Sequence, residues 1–180
     1  MAKLVYGMMQ SLDGYVDDAE GGLVLPAPDE ELFRHFTEQV RGVAGCLYGR
    51  RIYELMRYWD DDRSEFTDLE RDYGEVWRAR PKWVVSRDAA PVGPNARLVD
   101  EDLETFVRRL KDEASGEIDV AGPTLAASLT ELGLIDEYRL YLRPFVLGGG
   151  KPYFASSRPA LRLIGVDRIG SDTVRAVYAP

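Results

Sequence analysis

A layered α/β fold built on a mostly parallel sheet is what this sequence predicts, on three observations. Short apolar runs alternate with segments of helical period through the first two-thirds of the chain. Helical segments then stop at Gly133, and extended runs fill the remainder. Several predicted strands end directly in a turn that carries glycine or arginine.

In chain order, Lys3 to Met9 reads as a buried strand. Ser11-Leu12-Asp13-Gly14-Tyr15 follows as a turn, and Asp17 to Pro28 as a loop rich in glycine and proline. Asp29 can cap a helix in which Leu32, Phe33, Phe36 and Val40 share one face. Val43 to Tyr48 is a second strand, ended by Gly49, with a short helix from Arg50 to Tyr58. After the charged turn Asp60 to Arg63, the spacing of Phe66, Leu69, Tyr73, Val76 and Trp77 predicts a helix that Pro81 terminates. Lys82 to Ser86 and Arg97 to Val99 read as strands on either side of a loop marked by Pro91 and Pro94. Asp100 is placed to cap a helix bearing Leu103, Phe106, Val107 and Leu110. Ile118 to Ala121 is the next strand, and Gly122-Pro123 opens a helix with Leu125, Leu129 and Leu132. The tail holds Tyr138 to Val146, a flexible Gly148-Gly149-Gly150 turn, Ala160 to Asp167 and Thr173 to Tyr178. Strand–helix alternation predicts right-handed parallel crossovers, and the tail predicts antiparallel strands added at an edge.

Composition narrows the function. At 180 residues the chain reads as a single domain, 1–180, with a real core. A formal net charge of -8 argues against nucleic acid and against an anionic membrane surface. One cysteine, Cys46, and one histidine, His35, rule out an intrachain disulfide, a multi-thiolate metal site and a histidine-rich one, so no metal is expected. No apolar run approaches the ~20 residues that span a bilayer. The N-terminus lacks the pattern of a signal peptide, and a cytoplasmic location is the expectation.

Three turns carry chemistry. Gly49-Arg50-Arg51-Ile52-Tyr53-Glu54 combines a strand end, a helix start and two guanidinium forks suited to a phosphate. Ser86-Arg87 offers a hydroxyl and a guanidinium just past a strand. Val120-Ala121-Gly122-Pro123-Thr124-Leu125 repeats the strand, glycine turn and helix start. Each alone is a weak signal: ordinary turn chemistry is slightly the better reading of the first and clearly that of Ser86-Arg87, and the third doubles as plain helix capping. In a parallel sheet, however, the carboxyl ends of the strands lie on one edge, where α/β proteins bind ligands. Neither G-x-G-x-x-G nor G-x-x-x-x-G-K-[ST] occurs, which disfavours a Rossmann site and a P-loop.

The order of Ser11 to Tyr15, Gly49 to Glu54, Lys82 to Arg87, Val120 to Leu125 and Pro144 to Pro152 resembles the dihydrofolate reductase-like family related to the C-terminal reductase domain of the bifunctional riboflavin biosynthesis protein. The resemblance spans nearly the whole chain. It implies a mostly parallel eight-stranded sheet flanked by helices with antiparallel C-terminal strands, NADPH as hydride donor, and a homodimer. It implies that Gly49, Arg50 and Arg51 hold the cofactor's phosphates, that Ser86 and Arg87 meet the adenosine end, and that Gly122, Pro123, Thr124 and Leu125 line the diphosphate. Ser11 and Asp13 are implied near nicotinamide and substrate. Two positions depart from the family pattern. Ile52 stands where threonine is common, and Ala121 where riboflavin reductases carry glutamate.

Hydride transfer needs no protein nucleophile, so no Ser-His-Asp set is expected. It does need a proton source. Asp13 is the first candidate to orient the substrate, with Asp29 or Glu30 as candidate proton donor, and Asp13 reads equally as a turn aspartate. Tyr15 and Phe33 are candidates to stack on a flat ring, and Lys151 to reach a phosphate or carbonyl. The function expected is an NADPH-dependent reductase of a small heterocycle, resembling 5-amino-6-(5-phosphoribosylamino)uracil reductase or dihydrofolate reductase. A non-catalytic nucleotide-binding or regulatory dimer is the alternative.

Overall fold

The computed structural model describes residues 1–18, 20 and 26–180. Six strands run parallel: β1 (Lys3–Gln10), β3 (Gly45–Gly49), β4 (Lys82–Val85), β5 (Ala96–Val99), β6 (Glu117–Ala121) and β7 (Glu137–Leu142). β9 (Arg162–Ile169) and β10 (Thr173–Ala179) form an antiparallel pair, and β10 joins it to β7. The sheet has eight strands in the order β5-β4-β3-β6-β1-β7-β10-β9. A two-stranded ribbon, β2 (Tyr15–Asp17) with β8 (Lys151–Pro152), stands apart from it. Neither ribbon strand was predicted: runs of two or three residues carry no readable period. Part of the predicted loop Asp17 to Pro28, namely residues 19 and 21–25, lies outside the described residues.

Among the described residues five α-helices cover the sheet: α1 (Glu30–Gly42), α2 (Arg50–Met56), α3 (Asp68–Ala79), α4 (Leu103–Glu113) and α5 (Pro123–Glu131). The predicted helix Arg50 to Tyr58 is α2 followed by a 3-10 turn, Arg57–Trp59. Asp29 caps α1, its Oδ1 accepting the Leu32 amide at 2.8 Å. The cap of α4 is Asp102, not Asp100: Asp102 Oδ1 accepts both the amide and the hydroxyl of Thr105, at 2.9 and 2.8 Å. α3 begins with a capping box between Thr67 and Glu70. Gly133 follows α5 at φ 66, as a C-terminal stop requires.

Strand alternation divides the core between the two faces of the sheet. Leu4, Tyr6, Leu47, Ile118 and Val120 pack against Phe106, Val107 and Leu110 of α4 and Leu125 and Leu129 of α5. Cys46, Tyr48, Val84 and Ala121 turn the other way, onto Val40 of α1 and Tyr73, Val76 and Trp77 of α3. Completely burying such side chains stabilises by roughly 1.5–3 kcal/mol each. The same alternation sends Asp119, between Ile118 and Val120, into the α1–α3 layer. No helix of the described residues is long and apolar enough to cross a membrane.

Candidate active site

Parallel pairing of β3 with β6 aligns Tyr48 with Ala121, so the turns after both strands leave the sheet side by side. A cleft of about 160 Å³ opens there. Gly49, Arg50, Arg51 and Ile52 form one wall and Gly122, Pro123, Thr124 and Leu125 the other. Met8, Val16, Asp17 and Lys151 close it. Gly122 has φ 110, a backbone conformation that L side chains rarely adopt, and its Cα faces the Gly49 backbone across the cleft. As the N-cap of α5, Gly122 gives no side-chain cap to the first amides of that helix. These features fit a dinucleotide phosphate: a glycine cradle, an uncapped helix start and two arginines. The arginines already have company. Arg50 pairs with Glu54 and donates to the carbonyls of Ala90 and Pro91, and Arg51 lies 3.3 Å from Asp17 Oδ2.

A second cavity of about 310 Å³ adjoins the cleft, and Met8 and Ile52 line both. Its walls are mostly apolar: Met9, Phe33, Phe36, Val40, Met56 and Trp59. The few polar groups include Gln39 of α1, Tyr48 of β3, Tyr73 of α3 and Asp119 of β6. Asp119 is buried, and Gln39 Nε2 donates to its Oδ1 at 3.2 Å. Burial disfavours the charged form and pushes the Asp119 carboxyl up to about 7, although the Gln39 bond and the Arg139 charge act the other way. A flat ring fits this setting: a largely apolar box of aromatic and thioether side chains with one carboxyl among its lining residues.

The predicted cofactor residues divide. Gly49, Arg50, Arg51, Gly122, Pro123, Thr124 and Leu125 come together in the cleft. Ser86 and Arg87 do not line it. Ser86 Oγ accepts the Asp88 amide at 3.0 Å, and only the stretch just beyond them, Ala90 and Pro91, reaches Arg50. Of the predicted substrate residues, Phe33 lines the cavity and Lys151 the cleft. Ser11 is buried, and its Oγ accepts the Tyr15 amide at 3.0 Å. Tyr15 sits in the ribbon opposite Pro152.

The three predicted catalytic carboxyls are engaged elsewhere. Asp13 accepts the amides of Leu147 and Gly148, at 3.1 and 2.7 Å, and its pKa is lowered chiefly by the Ser11 hydroxyl. It clasps the glycine loop and lines neither hollow. Asp29 accepts the Ser171 amide and hydroxyl, both at 2.8 Å, as well as the Leu32 amide. Those bonds, the Ser171 amide foremost, lower it to about 2, so it has no proton to give near neutrality. Glu30 is exposed and pairs with Arg34 at 2.6 Å, one helical turn on. Sequence reasoning missed Asp119, Gln39 and Met8. A carboxylate in the middle of a strand with apolar neighbours was the available signal, because parallel strands covered on both faces read as near-continuous apolar runs. Among the described residues no group of three or more His, Cys, Asp or Glu side chains is arranged to hold a metal ion.

Comparison with known proteins agrees with this architecture. The chain is 26% identical over 179 residues to the uncharacterized protein YyaP of Bacillus subtilis (strain 168), covering 98% of this chain and 94% of that one. RibD of Acinetobacter baumannii superposes with a TM-score of 0.71 at 17% identity; the match covers all of this chain and 58% of RibD. Dihydrofolate reductase from Enterococcus faecalis, complexed with NADP(H) and RAB-propyl, superposes with a TM-score of 0.63 at 14% identity, covering 98% and 95% of the two chains. The fold is therefore dihydrofolate reductase-like. With residues 2–175 matching the RibD C-terminal domain, this chain belongs to that family.

Proposed function

We propose that this protein is an NADPH-dependent reductase of a small heterocycle, of the pyrimidine or pterin-like class. The observation that carries the reading is the adjacency of two unlike hollows: a glycine- and arginine-walled cleft meets an apolar, ring-sized cavity at Met8 and Ile52. Hydride transfer demands that adjacency, since donor and acceptor carbons must come within about 3–3.5 Å. When bound, the cofactor supplies the hydride and the two electrons. The protein's share is to hold and align. Gly49 and Gly122 admit the diphosphate, the α5 amides and Arg50 and Arg51 face its charge, and Thr124 adds a hydroxyl. Phe33, Phe36 and Trp59 exclude water from the cavity. A relative solved with NADP(H) supports the choice of cofactor.

Isothermal titration tests it: NADPH binds clearly tighter than NADH, and binding of neither rejects the reading. A panel of pteridines, flavins and aminouracils then locates the substrate by loss of NADPH absorbance. Ile52 and Ala121, the departures noted above, favour a non-catalytic nucleotide-binding dimer as the second reading. Cofactor binding with no oxidation across the panel selects it.

We further propose a homodimer through the outer face of β9, where Leu163, Ile164 and Val166 are exposed beside Val174 of β10. Cytoplasmic residence belongs to the same proposal, in keeping with the single cysteine.

A further inference from the structure

Asp119 is costly where it stands. A buried carboxyl with no ion pair of its own loses its hydration uncompensated, and folded chains often keep such groups where they are used. Arg139, the charge that bears on it from β7, is already held by Glu117 at 2.6 Å and Glu137 at 2.7 Å. Among the described residues, the other groups facing it are Cys46 and Tyr48 of β3, Tyr73 of α3, Tyr141 of β7 and Glu117 of its own strand, with Gln39 and, one turn away, His35 on α1.

A file of hydrogen bonds fixes how Asp119 presents itself. His35 Nε2 lies 3.0 Å from the Tyr141 oxygen. The Tyr141 hydroxyl donates to Gln39 Oε1 at 2.7 Å. That turns the Gln39 amide nitrogen to Asp119 Oδ1. Oδ1 becomes the carbonyl oxygen of the neutral acid, and the proton resides on Oδ2. The acid thus offers a donor beside an acceptor, the complement of a ring nitrogen flanked by an amino group.

Resting on the reductase reading, we propose that Asp119 is the recognition carboxyl and proton donor of the cavity, that its ligand is a flat heterocycle with an N–C–NH2 edge, and that Gln39 and Tyr141 are its positioning residues. In the reaction a ring C=N bond is reduced. Its carbon takes the hydride, with both electrons from the nicotinamide cofactor, and its nitrogen takes the Asp119 proton as the π bond is lost. The carboxylate left behind is reprotonated from water.

The test uses the full-length protein and 2-aminopyrimidine as probe, with unsubstituted pyrimidine as control. Titration calorimetry across pH should show affinity level below pH 7 and falling about tenfold per unit above it, following ionisation of Asp119. Asp119→Asn keeps a donor beside an acceptor, so it binds the probe but loses the pH dependence and all turnover. Asp119→Leu loses the probe by at least tenfold while NADPH affinity stays within twofold. Gln39→Leu removes the bond that favours the carboxylate, so the falling limb moves to higher pH. Carbon-13 NMR of labelled aspartate should show one carboxyl titrating near 7 that is missing from Asp119→Asn.

A carboxyl titrating in the ordinary aspartate range overturns the proposal, as does equal probe binding by Asp119→Leu and the parent. A protein that binds the probe with the expected pH profile but no NADPH loses the proton-donor role and the reductase reading, and keeps the recognition role.

Discussion

Gly122 stands against Gly49 across the ends of β6 and β3: a Cβ on Gly122 would lie 3.5 Å from the Gly49 nitrogen and 3.6 Å from its Cα. The first prediction follows from φ 110 at Gly122, since the contact itself is ordinary packing. Gly122→Ala should lower stability by about 1–3 kcal/mol, because an L side chain is strained there. NADPH affinity should fall at least tenfold with the fold intact by circular dichroism. Unchanged affinity would place the diphosphate elsewhere.

Arg50 and Arg51 make the second prediction. If they meet the extra phosphate, Arg50→Ala or Arg51→Ala weakens NADPH much more than NADH in parallel titrations. Equal losses would reject the contact. High salt should reproduce part of the effect, since exposed charges are screened.

Asp119 links stability to pH. Its folded pKa, about 7, lies above the value of about 3.9 expected in the unfolded chain. The folded state therefore gains from the protonated form. That stability is complete below pH 4, declines as pH rises, and is gone above 7. Asp119→Asn, which never ionises, should outlast the parent at pH 8 by roughly 2–4 kcal/mol in urea titrations and match it near pH 4. Parallel curves at both pH values would show that the carboxyl is solvated.

Asp13 is predicted to hold the glycine loop rather than a ligand. Asp13→Ala should speed amide exchange at Leu147 and Gly148, its two donors, and leave exchange in β1 and β6 unaltered. Gly150→Ala should be more severe, because a Cβ at φ 137 would run into the Asp17 carbonyl.

The proposed dimer predicts that the parent sediments as a dimer and that a paired Leu163→Asp and Val166→Asp variant sediments as a monomer; a monomeric parent would reject the proposal. Both positions are exposed on β9, so neither change disturbs the core.

How far the sequence could be read depended on whether a feature was local. Each wall of the cleft needs one strand end and the helix start after it, contiguous in the chain, and Gly49 to Ile52 and Gly122 to Leu125 were legible as such. Ser86-Arg87 has the same local grammar, yet the stretch after β4 delivers Ala90 and Pro91 to Arg50 instead, which is a tertiary outcome. Asp29 and Glu30 satisfy the first-turn preferences of a helix as well as any catalytic need, and Ser171, which occupies Asp29, is 142 residues away. The network around Asp119 joins residues 80 and 102 apart, and no window of sequence contains it.

β6 has one more effect, on the timing of assembly. It fills the gap between two strands, pairing with β1 on one side and β3 on the other. A chain emerging from the ribosome can complete β3, β4 and β5 with their helices and still leave that patch detached from β1, because the weld arrives only with residues 117–121. Both hollows straddle the weld. Newly made protein accordingly has no ligand to stabilise it until most of its length is synthesised, and the exposed flanks of β1 and β3 are where a chaperone has the most to protect.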